Sequence, residues 1–135
     1  MSSLKPCYLS NVLIEERGEQ QVVFIRETDG ERRFPIVIGP YEATAIDRAI
    51  KGTRFPRPLT HDLFINLLAA TDQTLREIRI VDLREGTFYA ELLVVTADEK
   101  EILLDCRPSD AIAIMVRLPG VQLLVSEDVL EEAAS

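Results

Sequence analysis

A chain of 135 residues, 47% hydrophobic and 28% charged, has the size and composition of one globular domain spanning residues 1–135 and requires no disordered segment. Its net charge of −8 speaks against a protein whose whole surface grips nucleic acid, because phosphate binding draws most of its affinity from Lys and Arg releasing counterions. No apolar run approaches the roughly 18 residues of a membrane span, and Met1-Ser2-Ser3-Leu4-Lys5-Pro6 lacks the hydrophobic region of a secretory signal, so no membrane role and a cytoplasmic location are expected.

Residues 8–16 and 20–27 are β-branched or apolar runs separated by Arg17-Gly18-Glu19, the pattern of a hairpin. Residues 33–38 form a short third strand whose Pro35 has no ladder donor, which suits an edge or a strand start. Gly39-Pro40 opens a helix to about Lys51, with Ala43, Ile46, Ala49 and Ile50 at helical spacing and Gly52 as its stop. The connector Thr53-Arg54-Phe55-Pro56-Arg57-Pro58 is held extended by its prolines. Thr60 is the expected cap of a second helix to Thr71, with Asp62 in its first turn.

Strands are predicted at 75–83, 87–96 and 101–106, with Glu85-Gly86 as a turn. A helix from Pro108 to about Leu118 stops at Pro119-Gly120, a last strand covers 121–125, and Ser126 caps a Glu-rich terminal helix. Strands joined by tight hairpins and interleaved with four helices predict an α+β fold with a mixed or antiparallel sheet.

An ungapped offset of 68 residues lays Pro40, Ala43, Ala45, Ile46 and Gly52 on Pro108, Ala111, Ala113, Ile114 and Gly120. It also lays Glu42 on Asp110, Gly18 on Gly86 and Glu31 on Glu99. Such spacing suggests an internal duplication of a strand-strand-strand-helix unit; chance matching of small and branched residues in two amphipathic helices is the plainer account.

The chemistry concentrates in Asp105-Cys106-Arg107-Pro108-Ser109-Asp110, a strand-to-helix corner with two carboxylates, a guanidinium and a hydroxyl. A helix start offers free N–H groups and a dipole that favours negative charge, either Asp110 itself or a ligand phosphate. Cys7 and Cys106 form neither a metal-ligand spacing nor a disulfide framework, and neither has the look of a nucleophile.

Four blocks, Phe34-Pro35-Ile36-Val37-Ile38-Gly39-Pro40, Pro58-Leu59-Thr60-His61-Asp62-Leu63, Asp82-Leu83-Arg84-Glu85-Gly86-Thr87-Phe88-Tyr89-Ala90 and Arg107-Pro108-Ser109-Asp110-Ala111-Ile112-Ala113, together resemble the bifunctional nuclease domain family of bacteria and plants. The resemblance runs from about residue 5 to residue 133 and implies an α+β fold and, as in the plant members, hydrolysis of RNA and DNA; no catalytic set is firmly attached to the family.

Phosphodiester hydrolysis needs an activated water, stabilised phosphate charge and a proton for the leaving oxygen. Asp82, Asp105 and Asp110 are the candidate ligands for a divalent metal, Mg or Mn. His61, Asp105 and Asp110 are the candidate catalytic residues, His61 because it is the only histidine and so the one side chain that ordinarily titrates near neutrality. Arg54, Arg57, Arg107 and Ser109 are the candidate substrate contacts, and Phe55 is placed to stack a base.

Each has a plainer role: Asp110 balancing a helix dipole, Asp105 pairing with Arg107, His61 packing at a helix start, the other arginines in salt bridges. From Arg32 to Arg57 six basic residues face two acids, which fits either a basic face on an acidic body or ordinary charge mixing. No Walker loop, Ser/His/Asp order, zinc spacing or dinucleotide fingerprint is present, so those enzyme classes lose support. The alternative is a non-catalytic interaction module, and under either reading unpaired edge strands predict a homo-oligomer, expected as a dimer.

Overall fold

In residues Arg33–Ile38, Phe34, Ile36 and Ile38 are buried while Arg33, Pro35 and Val37 face outward, the period-two pattern of a strand covered on one side. This strand, β3, belongs to a computed structural model that describes residues 3–15 and 20–134; the expected Arg17-Gly18-Glu19 turn lies outside the described residues. Before it come β1 (Leu4–Ile14) and β2 (Gln21–Glu27), and after it α1 (Pro40–Ile50), α2 (Thr60–Ala70), β4 (Thr74–Arg84), β5 (Thr87–Val95), β6 (Glu101–Cys106), α3 (Pro108–Met115), β7 (Gln122–Ser126) and α4 (Glu127–Ala133).

The fold is α+β with a mixed seven-stranded sheet in the order β3-β2-β1-β7-β4-β5-β6. Every neighbouring pair is antiparallel except β4 with β7. Two antiparallel meanders, β1 to β3 and β4 to β6, are each followed by a helix with proline at its first position, and β7 joins them at the centre. The 68-residue offset carries the last residue of β3, Ile38, onto the last of β6, Cys106, and the first residue of α1 onto the first of α3.

Both outer strands have an unpaired side, and Pro35 lies on one of them, where its missing donor costs no ladder bond. The β4–β5 turn holds Glu85 and Gly86 at φ 50° and 79°, two left-handed residues in succession that match the twist of the flanking strands. The sheet curls until β3 meets β5, where the Phe34 and Phe88 rings stack at 5.4 Å. Inside lie Ile25, Ile46, Ile78, Ile80, Ile112 and Leu130, all fully buried, each contributing about 1.5–3 kcal/mol through removal of apolar surface from water.

β1 begins at Leu4, four residues before the expected run, and two helix boundaries differ from the sequence expectation for physical reasons. Leu59, not Thr60, is the N-cap of α2: its backbone is extended, and Asp62 Oδ2 accepts the Leu59 N–H at 2.9 Å in place of a cap hydroxyl. Helix α3 ends at Met115 because Arg117 and Leu118 donate their N–H groups three residues back, tightening the last turn before Pro119.

Candidate functional site

At the end of β6 the backbone of Arg107 is extended, and its carbonyl accepts the N–H groups of Asp110 and Ala111, so Pro108, Ser109 and Asp110 form the first turn of α3. Asp110 faces two partners at once. Arg107 Nε donates to Oδ2 at 3.0 Å, and His61 Nε2, from the first turn of α2, lies 3.0 Å from Oδ1. Arg107 Nη1 donates in turn to Glu42 Oε1 on α1 at 3.2 Å, so one guanidinium spans acids from two helices.

Burial pushes the Asp110 carboxyl up, but the hydrogen bonds and charges of Arg107 and His61 outweigh it and hold the group below the ordinary aspartate value. An ionised carboxylate only accepts, so the proton between them is on Nε2, and Nδ1 is the ring nitrogen of His61 not bonded to Asp110.

The α2 start is anchored from below. Arg117, with a side chain only 9% exposed, donates from Nε to Asp62 Oδ1 at 3.1 Å, from Nη1 to the Ala113 carbonyl at 2.6 Å and from Nη2 to the Ala45 carbonyl at 3.2 Å. One buried side chain thus joins α1, α2 and α3 and fixes the turn that presents His61.

The expected sites therefore assemble in part. His61, Asp110 and Arg107 meet, and Ser109 lines the adjacent cleft. Asp82 and Asp105 do not join them. Asp82 pairs with Arg84 of its own strand at 2.9 Å and accepts the Leu83 N–H, while Asp105 is exposed on β6 opposite Glu91. The structure therefore does not bring the candidate metal set of Asp82, Asp105 and Asp110 together. Among the described residues no three His, Cys, Asp or Glu side chains gather to hold an ion, and both oxygens of Asp110 are already engaged.

Arg54 and Arg57 are exposed and without ion-pair partners among the described residues, while Phe55 lies 5.2 Å beneath the Arg48 guanidinium. Cys106 stays a protonated thiol, pushed up to about 12 by burial and then by Asp110, Asp105 and Glu91; burial and Glu27 push Cys7 to about 11.

Beside the dyad opens a cleft of about 400 Å³ between β3, the β4–β5 turn and the first turn of α3. Residues 35–39, 86–88 and 107–109 line it, so the caps of α1 and α3, Gly39 and Arg107, both border the same space. Glu42, at the third position of α1, folds back over Gly39 so closely that a Cβ there would meet its carboxylate at 2.2 Å. Glu42 and Arg117 were not picked out as site residues from sequence. The signal for Glu42 was its place on Asp110 under the 68-residue offset, whereas nothing local marked Arg117.

A carboxylate-bonded imidazole thus lies beside a guanidinium and near the starts of two helices in an α+β domain. The chain belongs to the bifunctional nuclease domain family, whose pattern matches residues 23–135. It is 46% identical over 122 residues to an uncharacterised protein of Mycobacterium tuberculosis, covering 90% of this chain and 71% of that one. It is similar to Bifunctional nuclease 1 of Oryza sativa subsp. indica, at 26% identity over 107 residues, 77% of this chain but 32% of the rice protein. Bifunctional nuclease 2 of Oryza sativa subsp. japonica is 27% identical over 107 residues, 77% of this chain and 33% of that protein. No helix among the described residues is long and apolar enough to cross a membrane.

Proposed function

We propose that this chain is a cytoplasmic phosphodiester hydrolase acting on RNA or DNA, with His61 as proton acceptor, Asp110 as the group that orients it and Arg107 as the cation beside the phosphate. The observation that carries the reading is the chain of contacts from His61 through Asp110 to Arg107, built from blocks that also carry the family resemblance. In the reaction a water gives its proton to Nδ1 while its oxygen bonds phosphorus; the ester oxygen leaves with the electrons of the broken P–O bond and takes a proton back from the imidazolium or from solvent. Arg107 Nη2 carries no bond to the described residues and offers donors to the charge that develops on phosphate.

A divalent ion, Mg or Mn, would stabilise phosphate charge if it arrives with the substrate, but the carboxylates here do not form its cage, and no step is routed through it. Purified protein incubated with single-stranded RNA and DNA, with and without chelator, tests the reading against a His61→Ala control. Equal cleavage by both preparations means the activity is a contaminant or uses another site.

A second reading, a homo-oligomeric interaction module, is favoured by one observation. Strand β6 is an edge, and its Ile102, Leu103 and Leu104 are all exposed, an apolar run beside an unpaired ladder.

A further inference from the structure

We propose that the cleft between β3, the β4–β5 turn and α3 is a subsite for one nucleotide unit of the substrate strand, with the phosphate at Ser109 and the nucleobase against Pro35, Val37 and Phe88. This rests on the hydrolase reading above and adds the place where the strand is held.

Ser109 supplies the first argument. It is only 6% exposed, yet its hydroxyl has no partner among the described residues. Because no fully enclosed side-chain oxygen or nitrogen is left unpaired in the described residues, that hydroxyl must open onto the cleft it lines. A buried donor facing an open space is completed by a ligand acceptor.

The second argument is the convergence of two helix starts. Gly39 and Arg107, the N-caps of α1 and α3, both line the cleft, neither helix has a side chain bonded at its cap, and the Ser109 N–H, unlike those of Asp110 and Ala111, has no acceptor among the described residues. Arg107 brings a cation to the same wall, and its Nη2 has no partner among the described residues.

Size and lining decide between a bare anion and a nucleotide. About 400 Å³ is far more than a phosphate fills and falls in the range of small-molecule sites, about 300–1,000 Å³. Val37 and Pro35 present apolar surface at the rim, and Phe88 is held in place by its stack on Phe34. The carboxylates of Glu42 and Asp110 oppose an anion, but both are turned toward Arg107, so the expected affinity is weak and set jointly by phosphate and base.

Arg107 then links subsite and dyad. A phosphate beside Ser109 shares its cation with Asp110, so the neighbouring phosphodiester is drawn toward His61.

Amide NMR titrations of the wild-type chain with adenosine monophosphate, inorganic phosphate and adenosine test the proposal. Adenosine monophosphate should saturate at the Ser109 and Gly39 amides with an affinity about tenfold above phosphate, and adenosine should bind still more weakly. Ser109→Ala should weaken adenosine monophosphate about fivefold, the loss of one hydrogen bond. Val37→Glu, at an exposed edge position, should weaken it at least as much by repulsion and provides the answer if Ser109→Ala folds poorly. Shifts confined to other surfaces, no saturation at about 10 mM ligand, or both variants binding like wild type would overturn the subsite. The His61→Ala chain should bind adenosine monophosphate normally while losing cleavage. Binding without cleavage in wild type overturns the hydrolase reading alone, and cleavage without binding overturns the subsite alone.

Discussion

Glu42 and Asp110 occupy the same third position of two different helices, 68 residues apart, and each accepts a hydrogen bond from the single guanidinium of Arg107. The pairing places two acidic helix starts within reach of one cation, and His61 attaches to the acid on α3 rather than to the one on α1. That asymmetry distinguishes the two otherwise similar corners.

Removing either half of the dyad should abolish most cleavage. Asp110→Asn keeps the shape but ends the charge that holds Nε2–H, and His61→Ala removes the proton acceptor; each is expected to lower the rate on single-stranded RNA about 10²- to 10⁴-fold while far-UV circular dichroism stays unchanged. A folded His61→Ala protein within threefold of wild type, on the order of 0.6 kcal/mol, refutes the assignment.

Asp82→Ala and Asp105→Ala should leave cleavage within about twofold, since both acids stand outside the dyad and surface substitutions usually change energies by under about 0.5 kcal/mol. Calorimetric titration of the nucleic-acid-free protein with Mg or Mn should register no site tighter than about millimolar. A micromolar heat that disappears in Asp105→Ala would restore the metal cage.

Arg117→Met should cost about 2–3 kcal/mol in urea denaturation, because it strands Asp62 and two carbonyls that now receive charge-assisted bonds. The same variant should lose cleavage out of proportion to the small folded fraction it loses, through the slackened first turn of α2. Unchanged stability would mean the buried guanidinium is dispensable.

Stability should fall in acid through Arg32. Its guanidinium bonds both carboxylate oxygens of Glu27, at 3.0 and 2.9 Å, and both of Glu127, at 2.8 and 2.5 Å, and these bonds lower both glutamates from the ordinary value of 4.5. A carboxylate whose folded-state pKa is depressed contributes stability that is complete above its unfolded value and is lost as pH falls through the folded one. The melting temperature should therefore decline as pH drops below about 4.5, and Arg32→Met should flatten that decline. Parallel pH profiles for the two proteins would exclude this source.

Leu103→Lys should convert a self-associated species to monomer in light scattering at micromolar concentration, with little change in melting temperature, because Leu103 is 53% exposed on β6. A wild-type protein that is monomeric under the same conditions removes the dimer expectation.

The sequence made some of this legible. The bounds of the third and sixth strands and the proline starts of α1 and α3 followed from local chemistry, since Pro and Gly act on their immediate neighbours. The dyad did not, because His61 and Asp110 are 49 residues apart and nothing in either neighbourhood names the other. Thr60 looked like a cap because its hydroxyl suits that role, but Asp62, reaching back to the Leu59 N–H, moved the cap to Leu59. Asp82 looked like a ligand until Arg84, two positions along its own strand, engaged it. Nothing local marked Arg117, and only the packing of three helices revealed its burial.

The central place of β7, paired on one side with β1 and on the other with β4, sets an order of events during synthesis. The two meanders leave the ribosome first and cannot be zipped together until residues 122–126 emerge, so for most of translation each keeps an unsatisfied inner edge. Nascent chains stalled before Val121 should accordingly be chaperone clients, and those released a few residues past Ser126 should not.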